Sequence, residues 1–459
     1  MSKLNPARWI AVRVGAQVRE RNAYTAEVLE TLLANNHLNA EDSAFARVLT
    51  LGVTATCGTL DETINRCLRS KNDIQDNVRD CLRVSCYELL FLGKQDHAVV
   101  DQGVELVRSV ETKAARLANA VLHKMLAQKK EFPYGDVKTD DVALARSFGF
   151  PLWLAKHLIS WMGREEAAHF MEVSNQPASL FFATNACKVE DEHAFLAEFA
   201  NKGFLLDSVR LSDAAGRIPG CFHCSDHRAV ASEIARAKFK SGELLVSDAA
   251  AQAVVQLALP EDAPERFLEV GSGRGTKTIL LQSESLRRYG SQINLVALDF
   301  HGFKGHLLEK RARDYGVNIE QVIIKDARKL ALPGEPEDIG LFDTVFVDAP
   351  CSGLGTLRRH PEIRWRISEK NIAALAETSF QILLGVAPHV KAGGRLVYST
   401  CTVAPFENEL LIKRFLESDV GQDFKIVPCS INNLSKLFFK TRLSAAGSDA
   451  HFAALLQRV

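Results

Sequence analysis

Two cysteines are the residues of this 459-residue chain best suited to chemistry: Cys351 in Asp348-Ala349-Pro350-Cys351-Ser352-Gly353 and Cys401 in Tyr398-Ser399-Thr400-Cys401-Thr402. Each follows a short apolar run that reads as a buried strand, Thr344-Val345-Phe346-Val347 before the first and Arg395-Leu396-Val397-Tyr398 before the second. In an open α/β sheet, ligands gather at the carboxyl ends of strands. Two thiols at two such ends can face one site, one as nucleophile and the other handling a proton. A third strand end, Phe267-Leu268-Glu269-Val270, runs into Gly271-Ser272-Gly273-Arg274-Gly275, a glycine turn suited to a nucleotide-like cofactor.

The glycine spacing is G-x-G-x-G. A dinucleotide fingerprint needs its third glycine one residue later, at Thr276. Acids at the following strand ends extend the pattern. Asp299 closes Val296-Ala297-Leu298-Asp299, where a carboxylate accepts both ribose hydroxyls. Asp326 closes the strand after it and could meet an adenine edge. A carboxylate at each successive strand end, with Asp348 as the third, suits S-adenosyl-L-methionine, although such acids also serve as helix caps. The candidate cofactor residues are Gly271, Ser272, Gly273, Arg274, Gly275, Thr276, Lys277, Asp299, Asp326 and Asp348.

These positions require a doubly wound sheet. From Ser247 or Asp248, either of which can cap a helix, strand and helix patterns alternate to the C-terminus. Strands are expected at 266–270, 293–298, 320–324, 343–347, 394–398, 424–427 and 451–456, with a helix over 371–387. Residues 1–130 read as an all-helical bundle, with apolar residues at helical spacing and no proline from 7 to 132. Within it Asp42-Ser43 can cap the second helix and Gly93 can end a run. Lys129-Lys130-Glu131-Phe132-Pro133-Tyr134-Gly135 marks a boundary. Linker helices and a small α/β appendage fill 131–245, and the catalytic domain is expected over 246–459.

Lys+Arg and Asp+Glu are both 56, which argues against a chain coated for nonspecific nucleic-acid binding but leaves room for a local basic groove. Ten scattered cysteines fit free thiols in a reducing compartment. No apolar run approaches about 18 residues and the N-terminus lacks the apolar core of a signal peptide, so a cytoplasmic protein without a membrane span is expected. Cys57, Cys67, Cys81 and Cys86 sit in apolar helical context and read as core residues. Cys221-Phe222-His223-Cys224 has no second C-x-x-C and reads as a loop with incidental cysteines rather than a metal site, so no metal is expected. Arg79, Arg83 and Arg108 could face RNA or be ordinary surface residues.

Asp348-Ala349-Pro350-Cys351-Ser352-Gly353 with Arg358-Arg359-His360-Pro361-Glu362-Ile363-Arg364-Trp365, and Ser399-Thr400-Cys401-Thr402 with Pro405, Glu407 and Asn408, resemble the two cysteine motifs of RNA cytosine-5 methyltransferases of the Nol1/Nop2/Sun family. The helical N-terminus looks like the NusB-type RNA-binding domain of that family's bacterial RsmB branch. The resemblance covers nearly the whole chain. It implies a Rossmann-like class I methyltransferase domain preceded by a small α/β appendage and an all-α NusB-like bundle. It also implies S-adenosyl-L-methionine as cofactor and small-subunit ribosomal RNA as partner, free or partly assembled, bound by a monomer. Carbon 5 of cytosine is a poor nucleophile, and a thiolate adding to carbon 6 makes it enamine-like. By resemblance Cys401 is that thiolate and Cys351 assists its release. Asp348 would bond the ring's amide-like edge, and Lys277 is the positional candidate for a nearby positive charge.

The family's usual Ala-Pro-Gly-Gly-Lys-Thr loop is replaced here by Gly271-Ser272-Gly273-Arg274-Gly275-Thr276-Lys277-Thr278, which keeps Gly275, Lys277 and Thr278 but lacks the proline. Ala183-Thr184-Asn185 likewise departs from the family's Arg-x-Asn-Thr. Arg358, Arg359, His360, Arg364, Trp365 and Arg366 read as a basic, aromatic-bearing loop able to grip phosphates and stack a base. The rival readings are a noncatalytic RNA-binding ribosome assembly factor, a tRNA cytosine-5 methyltransferase and a nicotinamide-dependent enzyme. The paired cysteines disfavour the first and last of these.

Overall fold

A computed structural model describes residues 4–210, 216–330, 339–431, 434–443 and 447–459. They form two units, Met1–Pro177 with Leu357–Ile367, and Ala178–Thr356 with Ser368–Val459.

The first unit is helical: α1 (Pro6–Arg21), α2 (Thr25–Asn36), α3 (Ala40–Cys67), α4 (Asp76–Leu90), α5 (Asp96–Val110), α6 (Ala115–Gln128), α7 (Asp141–Phe148), α8 (Leu152–Met162) and α9 (Arg164–Val173). The Asn5 side chain accepts the amide protons of Ala7 and Arg8, with Pro6 in the first turn of α1. The expected cap at Asp42-Ser43 falls instead at Asn39, which accepts the Asp42 amide proton. Asp42 lies one turn in, where its charge favours the helix dipole. Among the described residues, α3 alone is long and apolar enough to cross a membrane by length and composition. It packs against α1 and α4, with Leu49, Leu60 and Ile64 fully buried. Cys67, Cys81 and Cys86 are buried as expected, while Cys57 is half-buried. Arg83 is tied to Asp61 and Asp80 by bonds of 2.6–2.8 Å, Arg79 to Asn65, and Arg108 to Glu105, so these arginines are engaged within the bundle.

Leu357–Ile367, after the first cysteine motif, belongs to this helical unit, and it corrects the reading of a phosphate-gripping, base-stacking loop at Arg364 and Trp365. Arg364 is fully buried, bonds Asn175 Oδ1 at 2.8 Å and lies 4.0 Å over the Phe150 ring. Burial pulls its guanidinium down to about 9. The Trp365 indole N–H donates to the Ala55 carbonyl at 3.0 Å. Its ring fills the space at Gly58, where a Cβ would come within 2.3 Å. Glu362 accepts the Thr25 amide proton, and His360 meets the Tyr24 ring edge-on. Charge along a sequence suggests exposure, but here hydrogen bonds and ring faces make burial tolerable.

The second unit opens with an antiparallel sheet of β1 (Leu180–Thr184), β2 (Asp207–Arg210), β3 (Arg217–Cys224) and β4 (Leu244–Val246), in the order β2-β3-β1-β4. Helices α10 (Glu192–Asn201) and α11 (Glu233–Ser241) accompany it. Cys221 and Cys224 lie in β3 opposite Ala183 and Leu180, both buried, so the expected loop is a strand. The second cysteine's neighbours in the sheet are core residues, which a short motif does not reveal. Among the described residues no His/Cys/Asp/Glu group could hold a metal.

The larger sheet comprises β5 (Phe267–Val270), β6 (Leu295–Asp299), β7 (Gln321–Ile324), β8 (Phe342–Asp348), β9 (Val390–Thr400), β10 (Phe424–Val427), then, after a short pair β11 (Cys429–Ile431) and β12 (Leu434–Lys436), β13 (Phe439–Lys440) and β14 (Phe452–Arg458). Its order is β10-β14-β9-β8-β5-β6-β7, with β13 beside β14. Strands β5 to β9 are mutually parallel where paired, while β14 runs antiparallel to β9 and β10. Helices α12 (Ala249–Ala258), α13 (Thr276–Tyr289), α14 (Gly302–Tyr315), α15 (Glu369–Val386) and α16 (Glu409–Leu416) complete the unit. Asp248 caps α12. Alternate residues enter two cores: Phe267, Leu295 and Ala297 on one face, Leu268, Val296 and Leu298 on the other. The strand order reverses between β5 and β8, the switch point at which such sheets bind ligands.

Phe346 is fully buried, paired with Glu269 on one side and Val397 on the other. Phe346→Ala should therefore lower unfolding stability by about 3–5 kcal/mol in denaturant titration. A loss below about 1 kcal/mol would show that the core closes over the gap.

Candidate active site

Register brings the two thiols together. Asp348 at the end of β8 lies opposite Ser399 near the end of β9, and the Ala349 amide donates to the Ser399 carbonyl at 2.9 Å. Three residues past Asp348 and two past Ser399, Cys351 Sγ and Cys401 Sγ are 3.5 Å apart, within hydrogen-bond reach. Their hydrogen bond, and then burial, hold the Cys351 thiol well above its ordinary range. The Gly355 amide donates to the Cys401 carbonyl at 2.9 Å, fixing the end of β9.

Lys277, in the first turn of α13, donates to Asp348 Oδ2 at 2.6 Å. Burial opposes the ammonium, but Asp348, with Cys401 and Glu269, outweighs it and raises the lysine's affinity for its proton. Ser399 Oγ lies 3.4 Å from Asp348 Oδ1. Thus three of the four predicted catalytic groups, Cys401, Lys277 and Asp348, are electrostatically linked, and Cys351 touches Cys401.

A cavity of about 460 Å³ lies over the ends of β5, β6, β7 and β8. Of the predicted cofactor residues, Gly271, Gly273, Asp299, Asp326 and Asp348 line it. Ser272, Arg274, Gly275, Thr276 and Lys277 do not appear in its wall. Asp299 accepts the amide protons of Gly273 and His301, both at 2.9 Å, and has Lys304 at 3.7 Å. A carboxylate has lone pairs for further donors, so Asp299 still suits a diol. Asp326 caps a short 3₁₀ turn and accepts both guanidinium and amide protons of Arg328, which holds its carboxyl below the usual range. Its side chain therefore serves first as a cap.

Gly271, Gly273 and Gly275 all have positive φ. At Gly271 the requirement is also steric: a Cβ would come 2.5 Å from the Asp348 carbonyl oxygen. At Gly275 it would strike Leu308 of α14 at 2.3 Å. The glycines thus draw the turn against β8 and let it pass close to Leu308 of α14.

Several residues that pattern reasoning did not single out complete the site. Glu269, fully buried at the end of β5, accepts Thr278 Oγ1 at 2.6 Å, and burial pushes its carboxyl up to about 7. Ser352 and Thr402, each directly after a cysteine, share a 2.7 Å hydroxyl contact. A hydroxyl residue following both cysteines was the available signal.

Residues 255–457 match the family model of 16S rRNA methyltransferase RsmB/F, and residues 5–127 match that of the NusB family. The chain thus carries, over 255–457, a domain that matches 16S rRNA methyltransferase RsmB/F, behind a NusB-type domain. Relatives named ribosomal RNA small subunit methyltransferase B include a probable one from Bacillus subtilis, 28% identical over 90% of this chain and 89% of its own. Another, from Shigella sonnei, is 28% identical over 91% of each chain. The crystal structure of PH0851 shares the fold with a TM-score of 0.76 over 100% of this chain and 99% of its own, at 21% identity. A methyltransferase homologue from Pyrococcus horikoshii gives 0.54 over 69% of this chain and 98% of its own, at 19% identity.

The match to this methyltransferase domain supports methylation of RNA with S-adenosyl-L-methionine. The residues present fit that cofactor. The cavity joins a glycine turn to Asp299 and ends at Asp348, and Ser272 Oγ is buried at the turn with no hydrogen-bond partner. The missing proline of the family's loop is therefore compatible with a formed turn.

Two outcomes follow. Gly271→Ala should weaken binding of S-adenosylhomocysteine by at least about tenfold in calorimetry, because the backbone conformation and the β8 carbonyl both oppose a Cβ. Glu269 has a folded-state affinity for its proton above that of the unfolded chain. Its contribution is present in full below about pH 4.5 and is lost as pH rises through about 7. Glu269→Gln should accordingly resist denaturant better than the native protein at pH 8.5, with the difference closing at pH 5.5.

Proposed function

We propose that the protein transfers a methyl group to carbon 5 of a cytosine in small-subunit ribosomal RNA, through a covalent bond between that base and Cys401. The single observation carrying this reading is the 3.5 Å contact between Cys351 and Cys401 at adjacent strand ends. The names of the relatives support the choice of RNA. The protein acts as a monomer on free or partly assembled RNA.

The bound sulfonium supplies an electrophilic methyl group. The residues do the rest. Cys401 adds as a thiolate to carbon 6, while Asp348, already paired with Lys277, bonds the N3 edge and favours its protonated form. Electron density then reaches carbon 5, which would take the methyl group as that group's bond to the donor sulfur breaks. The hydrogen left on carbon 5 must depart as a proton as the carbon 6–sulfur bond breaks. Cys351 suits this step. Its proton is held chiefly by the bond to Cys401. Once Cys401 is bonded to the base, Cys351 can give its own proton to water, accept the proton from carbon 5 and let Cys401 leave as a thiolate. The target base must stand out of its stack for sulfur and methyl donor to reach it.

Bisulfite sequencing of ribosomal and transfer RNA, with and without the gene, tests the assignment. One small-subunit cytosine should lose protection on deletion, and an unchanged pattern would remove the ribosomal reading. Cys351→Ala should accumulate a slow-migrating protein–RNA species that Cys351→Ala/Cys401→Ala lacks.

A further inference from the structure

None of the steps above uses Glu407, although it is among the most deeply placed carboxyls of the catalytic unit. It is 1% exposed. Its Oε1 accepts the Ser352 amide proton at 2.7 Å and its Oε2 the Ser352 hydroxyl at 2.5 Å. The same hydroxyl meets Thr402 Oγ1 at 2.7 Å. One carboxylate therefore grips the residue after Cys351 through both of its donors and reaches the residue after Cys401 through a single hydroxyl. Burial raises the Glu407 carboxyl above its usual range. Such a group is costly to keep unless its hydrogen bonds are made.

The two cysteines differ in their other supports. Cys401 continues β9, whose Thr400 pairs with Phe452 of β14. Asn408 brackets it, accepting Thr400 Oγ1 at 2.6 Å and donating to the Thr402 carbonyl at 2.9 Å. Cys351 lies beyond the end of β8, in residues without sheet pairing. Its local anchors are the Ala349 amide on the Ser399 carbonyl at 2.9 Å, the bond from Ser379 Oγ to the Pro350 carbonyl at 2.8 Å, and the double grip of Glu407 on Ser352.

We propose that Glu407 is a positioning residue that holds Cys351 in line with Cys401, so that its loss slows release of the base more than attack on it. The proposal rests on the covalent reading above. Loosening the Cys351 loop leaves Cys401 on its strand, still able to add, but misplaces the group that takes the carbon 5 proton. The predicted signature is a weaker version of Cys351→Ala: slower turnover with adduct retained.

The test uses the full-length protein and small-subunit RNA, with Glu407→Ala, Glu407→Gln, Ser352→Ala and Cys351→Ala compared in parallel. Glu407→Ala should lower kcat about 10–100-fold, a range common for groups one layer behind the reacting atoms. The KM for S-adenosyl-L-methionine should stay unchanged, and the fraction of protein in the RNA adduct should rise. Glu407→Gln should recover most of the rate, because its amide oxygen accepts the Ser352 amide proton and its NH₂ donates to the hydroxyl. Ser352→Ala keeps one of the two bonds and should fall between. If Glu407→Ala fails to fold, Ser352→Ala must still accumulate adduct and Glu407→Gln must not. A kcat loss without added adduct, or an effect confined to KM, overturns the positioning role. Absence of adduct in Cys351→Ala overturns the covalent reading instead.

Discussion

The contact between two sulfur atoms at the ends of neighbouring parallel strands is the constraint on which the catalytic unit depends. It is set by backbone register. Because Asp348 lies opposite Ser399, both strands deliver their cysteines to one place, and the amide of Ala349 fastens the crossing. Sliding either strand by one residue would turn its side chains to the other face and part the thiols. The fully buried residues of β8 and β9, among them Val345, Phe346, Leu396 and Val397, resist such slippage by filling both cores.

Charge is organised around the same strand ends. Lys277 and Asp348 form a close pair beside Cys401, and Asp348 also closes the wall of the cavity. The glycine turn permits this proximity, since its backbone passes against the carbonyl of Asp348 where a side chain would collide. One acid thus borders both the candidate cofactor cavity and the candidate reacting pair. Beneath them lies a layer of uncharged donors, Ser352, Thr402 and Asn408, around the buried Glu407. Polar groups in such a layer are kept in register by their mutual hydrogen bonds, which a low-dielectric interior strengthens.

Much of this was legible in the sequence. All seven strands expected in the large sheet are present, and the parallel, buried β5, β6 and β8 are written as largely apolar runs closed by glycine or acid. The juxtaposition of Cys351 and Cys401 followed from placing each just past such a run. Other features depend on partners distant in sequence or on a competing neighbour nearby. Nothing local distinguishes Arg364, buried over Phe150, from an arginine in water. The cap expected at Asp42-Ser43 lies at Asn39, a residue that caps equally well. Cys221 and Cys224 are strand residues whose neighbours lie some forty residues away in β1. Asp326 lines the cavity, and its oxygens also accept from Arg328, two residues on.

RNA carrying 5-fluorocytidine at the target position offers the most direct test, because fluorine at carbon 5 blocks proton removal and leaves the attacking sulfur attached. Peptide sequencing by mass spectrometry of the complex formed by the native protein and S-adenosyl-L-methionine should find the nucleotide on Cys401. Attachment at Cys351, or a protein recovered without any modified peptide, would contradict the division of labour between the two thiols.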